Sequence, residues 1–224
     1  MYLVFFGFGF QSTVGASAGG SSYLSFLTPG IMSFQAVMAG TVGGSILWAD
    51  RRWGMFAQLL SGPFTRLEYL LGIMLTALLF GLGGSAVMLV VAFALIHSVP
   101  TTLLTYALIF GSITLGSIFF GSLMLFISAW VKSNNAYNSV QILVIFVINF
   151  ASTVFYQASP SLPPALLALF YANPLTYIAD AVRGAYLGHL TPVDGLQMAI
   201  LAVETVVFLF LAVWSYLRSD VSME

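Results

Sequence analysis

The chain has 224 residues, 60% of them apolar and only 6% charged, with a mean hydropathy of +1.02 and a formal net charge of -1. A soluble domain must cover its core with a polar shell, so this composition makes the lipid bilayer the expected solvent, and a near-neutral chain without a basic run excludes nucleic acid as a partner. Cysteine is absent, which removes disulfides, thiolate metal sites and cysteine nucleophiles.

The opening segment MYLVFFGFGF is too short to cross a bilayer, because ten residues at about 1.5 Å each cover half of a hydrocarbon core about 30 Å thick. It lacks the charged start and cleavage site of a signal peptide and reads as the outer half of a helix whose beginning is missing, with a short interfacial anchor as the alternative. Five uncharged runs are then long enough to span: 29–48, 69–96, 102–131, 139–158 and 193–217. The first has Thr28 as candidate N-cap and Pro29 at the first helical position. Small residues recur every four positions in it (Ala36, Gly40, Gly44) and in the second run (Ala77, Gly81, Ser85), a spacing that lets helices approach closely in lipid, and the third run adds Gly111, Gly116 and Gly121.

Between the first two spans, WADRRWGMFAQLLSGPFTRLEY holds five of the thirteen charged side chains. Arg51 and Arg52 are explained by topology. With this loop in the cytoplasm, alternation places Arg51, Arg52, Arg66, Lys132 and Arg218 inside and only Arg183 outside, as the positive-inside rule expects, so residues 11–27 are external and the C-terminus is cytoplasmic. Trp53, Phe56, Leu59 and Leu60 recur at helical spacing before Ser61-Gly62-Pro63 stops the pattern, predicting a short amphipathic helix within 50–63 that docks on headgroups or in a partner's groove. Thr65 to Glu68 is a capping-box pattern that starts the next span.

Residues 159–192 are too short and too polar for a further hairpin and read as two short helices at the outer interface. The second is bounded by Asn173 as N-cap, Pro174 at the first position and Gly188 as stop. Its residues Leu175, Ile178, Ala179, Val182 and Tyr186 form one apolar face, and Asp180 and Arg183 stand three apart. Glu204 lies inside the last span, where an ionised carboxylate is expensive; a role in substrate handling and a structural hydrogen bond, with Asn149 or Gln141 as candidate partners, are both open.

Catalytic and metal chemistry find little support. There is no phosphate-binding loop, and the single lysine, Lys132, has no preceding glycines. His97 and His189 are isolated, and no G-x-S-x-G motif occurs.

Three stretches, SYLSFLTPGIM, DRRWGMFAQLLSGPFTRLEYLLG and NPLTYIADAVRGAYLGH, resemble in order and separation the membrane subunit (permease) of type-2 ABC exporters of drugs, polysaccharides and lipids. The resemblance covers nearly the whole chain. It implies an all-α integral membrane protein with a six-helix fold, here five complete transmembrane helices plus half of a first, since the family's amphipathic N-terminal helix and the first half of its first span are absent. It implies a coupling helix built from Arg51, Arg52, Trp53, Gly54, Phe56, Leu59, Leu60, Pro63 and Arg66. It also implies an outer re-entrant gate helix carrying Asn173, Pro174, Tyr177, Asp180, Arg183 and Gly184. The implied partners are two copies of an ABC ATPase subunit, which bind ATP and Mg, and a second permease copy or a homologous permease, in a prokaryotic cytoplasmic membrane. This chain would hold no cofactor and do no covalent chemistry. A hydrophobic or amphipathic cargo suits the almost uncharged spans, with polysaccharide export as alternative; an ATP-independent transporter or channel using Glu204 and a non-transporting scaffold are the competing classes.

Overall fold

A computed structural model describes residue 5 and residues 23–96, 102–131, 133–159 and 161–218. The expected partial span over 1–10, the external segment up to residue 22, His97, Lys132 and the last six residues lie outside the described residues. Helices are α1 Tyr23–Arg52, α2 Met55–Ser61, α3 Arg66–Ile96, α4 Leu103–Trp130, α5 Asn134–Phe150, α6 Pro164–Tyr171, α7 Pro174–Leu187 and α8 Pro192–Arg218. Four of them, α1, α3, α4 and α8, are long and apolar enough to cross a membrane, and α6 with α7 makes a fifth candidate bent by 69°.

The long helices run in alternating directions. One end of the bundle gathers α2, the C-termini of α1, α4 and α8 and the N-termini of α3 and α5 (the α2 end); the other gathers α6, α7 and the N-terminus of α1 (the α7 end). Helices α1 and α4 are mostly buried, whereas α3 and α8 leave most of their apolar surface outward. The larger core lies toward the α7 end around Leu27, Met32, Phe120 and Ile178, and a smaller one lies toward the α2 end around Leu47, Leu70, Leu125 and Tyr216.

Small residues bring α1 against α4. Ala36, Gly40 and Gly44 face Gly116, Phe120 and Met124, and Gly81 of α3 faces Ser117. Ser85 adds a buried hydrogen bond across helices, its hydroxyl donating to the Met32 carbonyl at 3.1 Å. Gly111 departs from the expected ridge, because nothing lies within 4 Å of where its side chain would be.

Element ends differ from the sequence reading in three places. Helix α1 starts six residues earlier than expected, with Pro29 in its interior. Thr28 is no cap there; its hydroxyl donates to the Leu24 carbonyl at 2.8 Å and Ser33 donates to the Pro29 carbonyl at 2.8 Å, so side chains bond backbone around the proline. The run expected over 139–158 forms a 17-residue helix that stops at Phe150, about 25 Å long and at the lower limit for a span. Its last carbonyls are taken by side chains: Asn173 Nδ2 donates to Ile148 and Ala151 at 2.7 Å each, and Ser152 donates to Asn149 at 2.7 Å. Finally α8 begins with a second capping box that sequence reading missed, Asp194 accepting from the Thr191 amide at 2.6 Å and hydroxyl at 2.8 Å.

The expected capping box at α3 is present. Glu68 Oε2 accepts from the Thr65 amide at 2.7 Å and hydroxyl at 2.8 Å, and the Glu68 amide donates back to Thr65 Oγ1 at 3.3 Å. Thr65→Ala removes the returned bond and should lower stability by about 1 kcal/mol, read as a shift in the thermal unfolding of detergent-solubilised protein.

Candidate functional site

At the α2 end, α1 runs through Arg52, so Trp53 lies in a turn and not on the helical stripe, where it is 74% exposed. The turn closes through Gly54 at φ 71, a left-handed conformation that favours glycine. Helix α2 follows and ends where the Gly62 amide donates to Leu59 at 3.2 Å, with Pro63 next. Phe56 and Leu60 are on α2, but their side chains lie outside the described set. Leu59 lines a groove of about 320 Å³ between α2 and the long helices, with Ile46, Phe64, Tyr69 and Ile73.

The arginines divide. Arg51 is 7% exposed, and its Nη1 donates to the carbonyls of Ser128 and Ala129 at 3.4 Å each, in the last turn of α4. Unpaired carbonyls and the negative end of the helix dipole attract a cation there, so topology alone does not account for this residue. Arg52 lies over the rings of Trp48 and Trp53, at 5.6 and 5.7 Å from their centroids. Arg66 opens α3 and donates to the Leu217 carbonyl at 3.2 Å, fastening α3 to the end of α8. Asp50 accepts from the Tyr69 hydroxyl at 2.6 Å, and Trp48 stacks on Tyr137 at 6.2 Å.

At the α7 end, Asn173 caps α7 as expected, its Oδ1 accepting from the Leu175 amide at 3.0 Å, with Pro174 next and Gly188 at φ 73 as the stop. Helix α7 is not a surface helix, however: Leu175 to Ala185 are buried apart from Asp180, so it is a wedge between α1, α4 and α8. Tyr177 donates to the Tyr171 carbonyl at 2.7 Å, holding α6 to α7.

Arg183, only 9% exposed, is a hub. Its Nη1 meets Asp180 Oδ1 at 2.9 Å, Nη2 donates to the Thr153 carbonyl at 2.8 Å, Nε donates to the Phe26 carbonyl at 3.4 Å, and the guanidinium lies 3.9 Å from the Phe26 ring centroid. Asp180 also accepts from the Thr153 hydroxyl at 2.7 Å. Sequence reading found Asp180 and Arg183 as a pair but gave no sign of Phe26 or Thr153, which are 157 and 30 residues from Arg183. Thr153, Asp180 and Arg183 line a cavity of about 370 Å³ with His189, Thr191 and Asp194. Gly184 packs against Leu190 and Asp194 on its wall.

Glu204 and Asn149 are not joined. Glu204 Oε2 and Asn149 Oδ1 are buried, each without a hydrogen-bond partner among the described residues. No group of three or more metal-ligating side chains occurs among the described residues.

Among the described residues, an all-helical bundle with four to five apolar span candidates, a short helix standing at one end and a bent pair whose second helix is buried at the other defines a multi-pass membrane protein. The family model of the ABC-2 type transporter matches residues 1–187, and the chain belongs to that family. It is thus a transport subunit, a permease component of an ABC transporter and not itself an ATPase; nucleotide binding belongs in general to a partner ABC ATPase. No curated protein matches the chain.

Proposed function

We propose that this chain is one permease of an exporter in a prokaryotic cytoplasmic membrane, with its C-terminus inside, carrying a hydrophobic or amphipathic substrate outward. Two ATPase subunits would act on a pair of permeases, this chain with a second copy or a homologue. Helix α2 is the coupling helix and α6–α7 the outer gate. ATP-driven closure of the ATPases would push α2 and switch the bundle between inward and outward openings.

The observation that carries this reading is α2 itself. It is a seven-residue helix, bounded by a left-handed Gly54 and by Gly62-Pro63, and set between two long helices by short turns, so a push on it is passed to α1 and α3. The separation of cations supports the orientation: Arg51, Arg52, Arg66 and Arg218 are at the α2 end and Arg183 at the other. The scarcity of charge on the spans supports an apolar cargo.

The test is a charge placed on α2. Leu59→Asp, in permease co-purified with its ATPase and reconstituted in vesicles, should weaken ATPase docking about thirty-fold and lower transport in proportion, as loss of a central contact does. Because Leu59 also lines the groove beside Ile46 and Ile73, a modest fall in unfolding temperature is expected with it. Normal ATPase binding with normal transport would refute the coupling assignment.

A further inference from the structure

Glu204 stands midway along α8, at the depth where a charge is most expensive. It shares a helix face with buried Leu201 and Thr205 and with Phe208, whose ring meets Phe119 of α4 edge-on at 5.3 Å, while Val206 and Phe210 on the opposite face are exposed. The carboxyl group therefore points into the seam of α8 with α4 and α7 rather than at lipid, and it lies within electrostatic reach of the Tyr177 hydroxyl on α7. Its Oε2 is enclosed and accepts from no described residue. The nearby donors are already used: Tyr177 donates to the Tyr171 carbonyl, Thr205 donates to the Leu201 carbonyl at 2.7 Å, and the backbone amides are bonded within the helix.

The arginines of the chain are placed elsewhere. Arg51 and Arg66 bond carbonyls at the α2 end, Arg52 and Arg218 lie over tryptophan rings there, and Arg183 is paired with Asp180. A second copy of the chain would bring the same arginines, already placed in the same way. We propose that Glu204 binds the positively charged group of the cargo, so that the permease selects lipophilic cations; this deepens the exporter reading and rests on it. A neutral or anionic cargo offers a mid-span carboxylate nothing, whereas a cation supplies the counter-charge that the fold withholds. The Phe119 and Phe208 rings next to it suit the apolar body of such a molecule, and their faces attract positive charge. Helix α7 stands over the carboxyl group, so the movement that the gate requires of α7 also uncovers the site.

The experiment uses the full permease co-purified with its ATPase and reconstituted in vesicles. Glu204 is labelled with dicyclohexylcarbodiimide, an apolar reagent for carboxyl groups in membranes, and the labelled peptide is followed by mass spectrometry. Saturating tetraphenylphosphonium, a permanent cation, should slow the labelling about tenfold, and triphenylphosphine oxide, neutral with the same rings, should not. In the same vesicles Glu204→Gln, which keeps the shape of the group and removes its charge, should raise the half-saturating concentration for ATP-driven tetraphenylphosphonium uptake about tenfold. Glu204→Asp, which keeps the charge, should restore most of that loss. Equal protection by the two compounds, no protection by the cation, or a wild-type half-saturating concentration in Glu204→Gln overturns the site. Protection by the cation alone, without ATP-driven uptake, upholds the site and overturns the exporter reading.

Discussion

Arg183→Ala is expected to lower stability by about 3–5 kcal/mol, because it breaks a buried ion pair and leaves the other partner charged and enclosed. The loss is spread over three parts of the chain. The same guanidinium holds Asp180 on its own helix, the Thr153 carbonyl in the bend after α5, and the carbonyl and ring of Phe26 near the start of α1. Arg183→Lys should restore little of it, since a single ammonium on a flexible stem cannot reproduce a planar fork that meets two carbonyls and a carboxylate while stacking on a ring. Thermal unfolding in detergent reads the cost. A loss below about 1 kcal/mol for the alanine variant would show that the hub is solvated and does not tie the elements together.

Asp180→Asn separates charge from shape at the same place. The amide oxygen still accepts from Thr153 and Arg183, but the guanidinium loses its counter-charge, so part of the alanine effect should remain. In the proposed gate, outward opening moves α7 against α1 and has to break the Arg183 contacts to Phe26 and Thr153. Variants that weaken the hub then favour the open outer end.

The elements legible in the sequence were those whose cause is local. The Thr65–Glu68 capping box, the Asn173-Pro174 start and Gly188 stop of α7, and the Gly62-Pro63 end of α2 each depend on residues within four positions of one another, and each stands where the pattern put it. Features that depend on distant partners were missed. The end of α5 at Phe150 follows from Asn173, more than twenty residues away, capturing its carbonyls, and a hydropathy run carries no trace of that. Helix α7 has the periodicity of an interfacial helix. Its polar face is nevertheless largely enclosed, with Arg183 buried and Asp180 half-buried, because the two satisfy each other and the neighbouring backbone. Arg51 illustrates the same limit: a charge count explains its side of the membrane, but only the fold shows it turned onto the carbonyls of α4. Thr191–Asp194 had the local signal of a cap and was readable.

Small residues give the clearest division between pattern and contact, and the second large effect comes from them. Gly40→Ala should destabilise the bundle by about 1–3 kcal/mol although alanine is the better helix former. A Cβ at Gly40 would lie 2.5 to 2.7 Å from the Phe120 carbonyl carbon, oxygen and Cβ. The obstacle is mostly backbone, so no change of rotamer relieves it, and α1 and α4 must move apart along the most buried crossing of the fold. Gly116 is less severe, since the nearest atom there is the end of the flexible Ile178 side chain, which gives way. Gly111 also belongs to a row of small residues in the sequence but has open space around it, and Gly111→Ala should be neutral or stabilising by up to about 1 kcal/mol from helix propensity alone. Comparing unfolding temperatures of the Gly40 and Gly111 variants thus separates a glycine kept for close approach from one that is not. Equal losses at both positions would mean that Gly111 is covered by a surface from outside this chain, and equal neutrality would mean that α1 and α4 pack less closely than their backbones indicate.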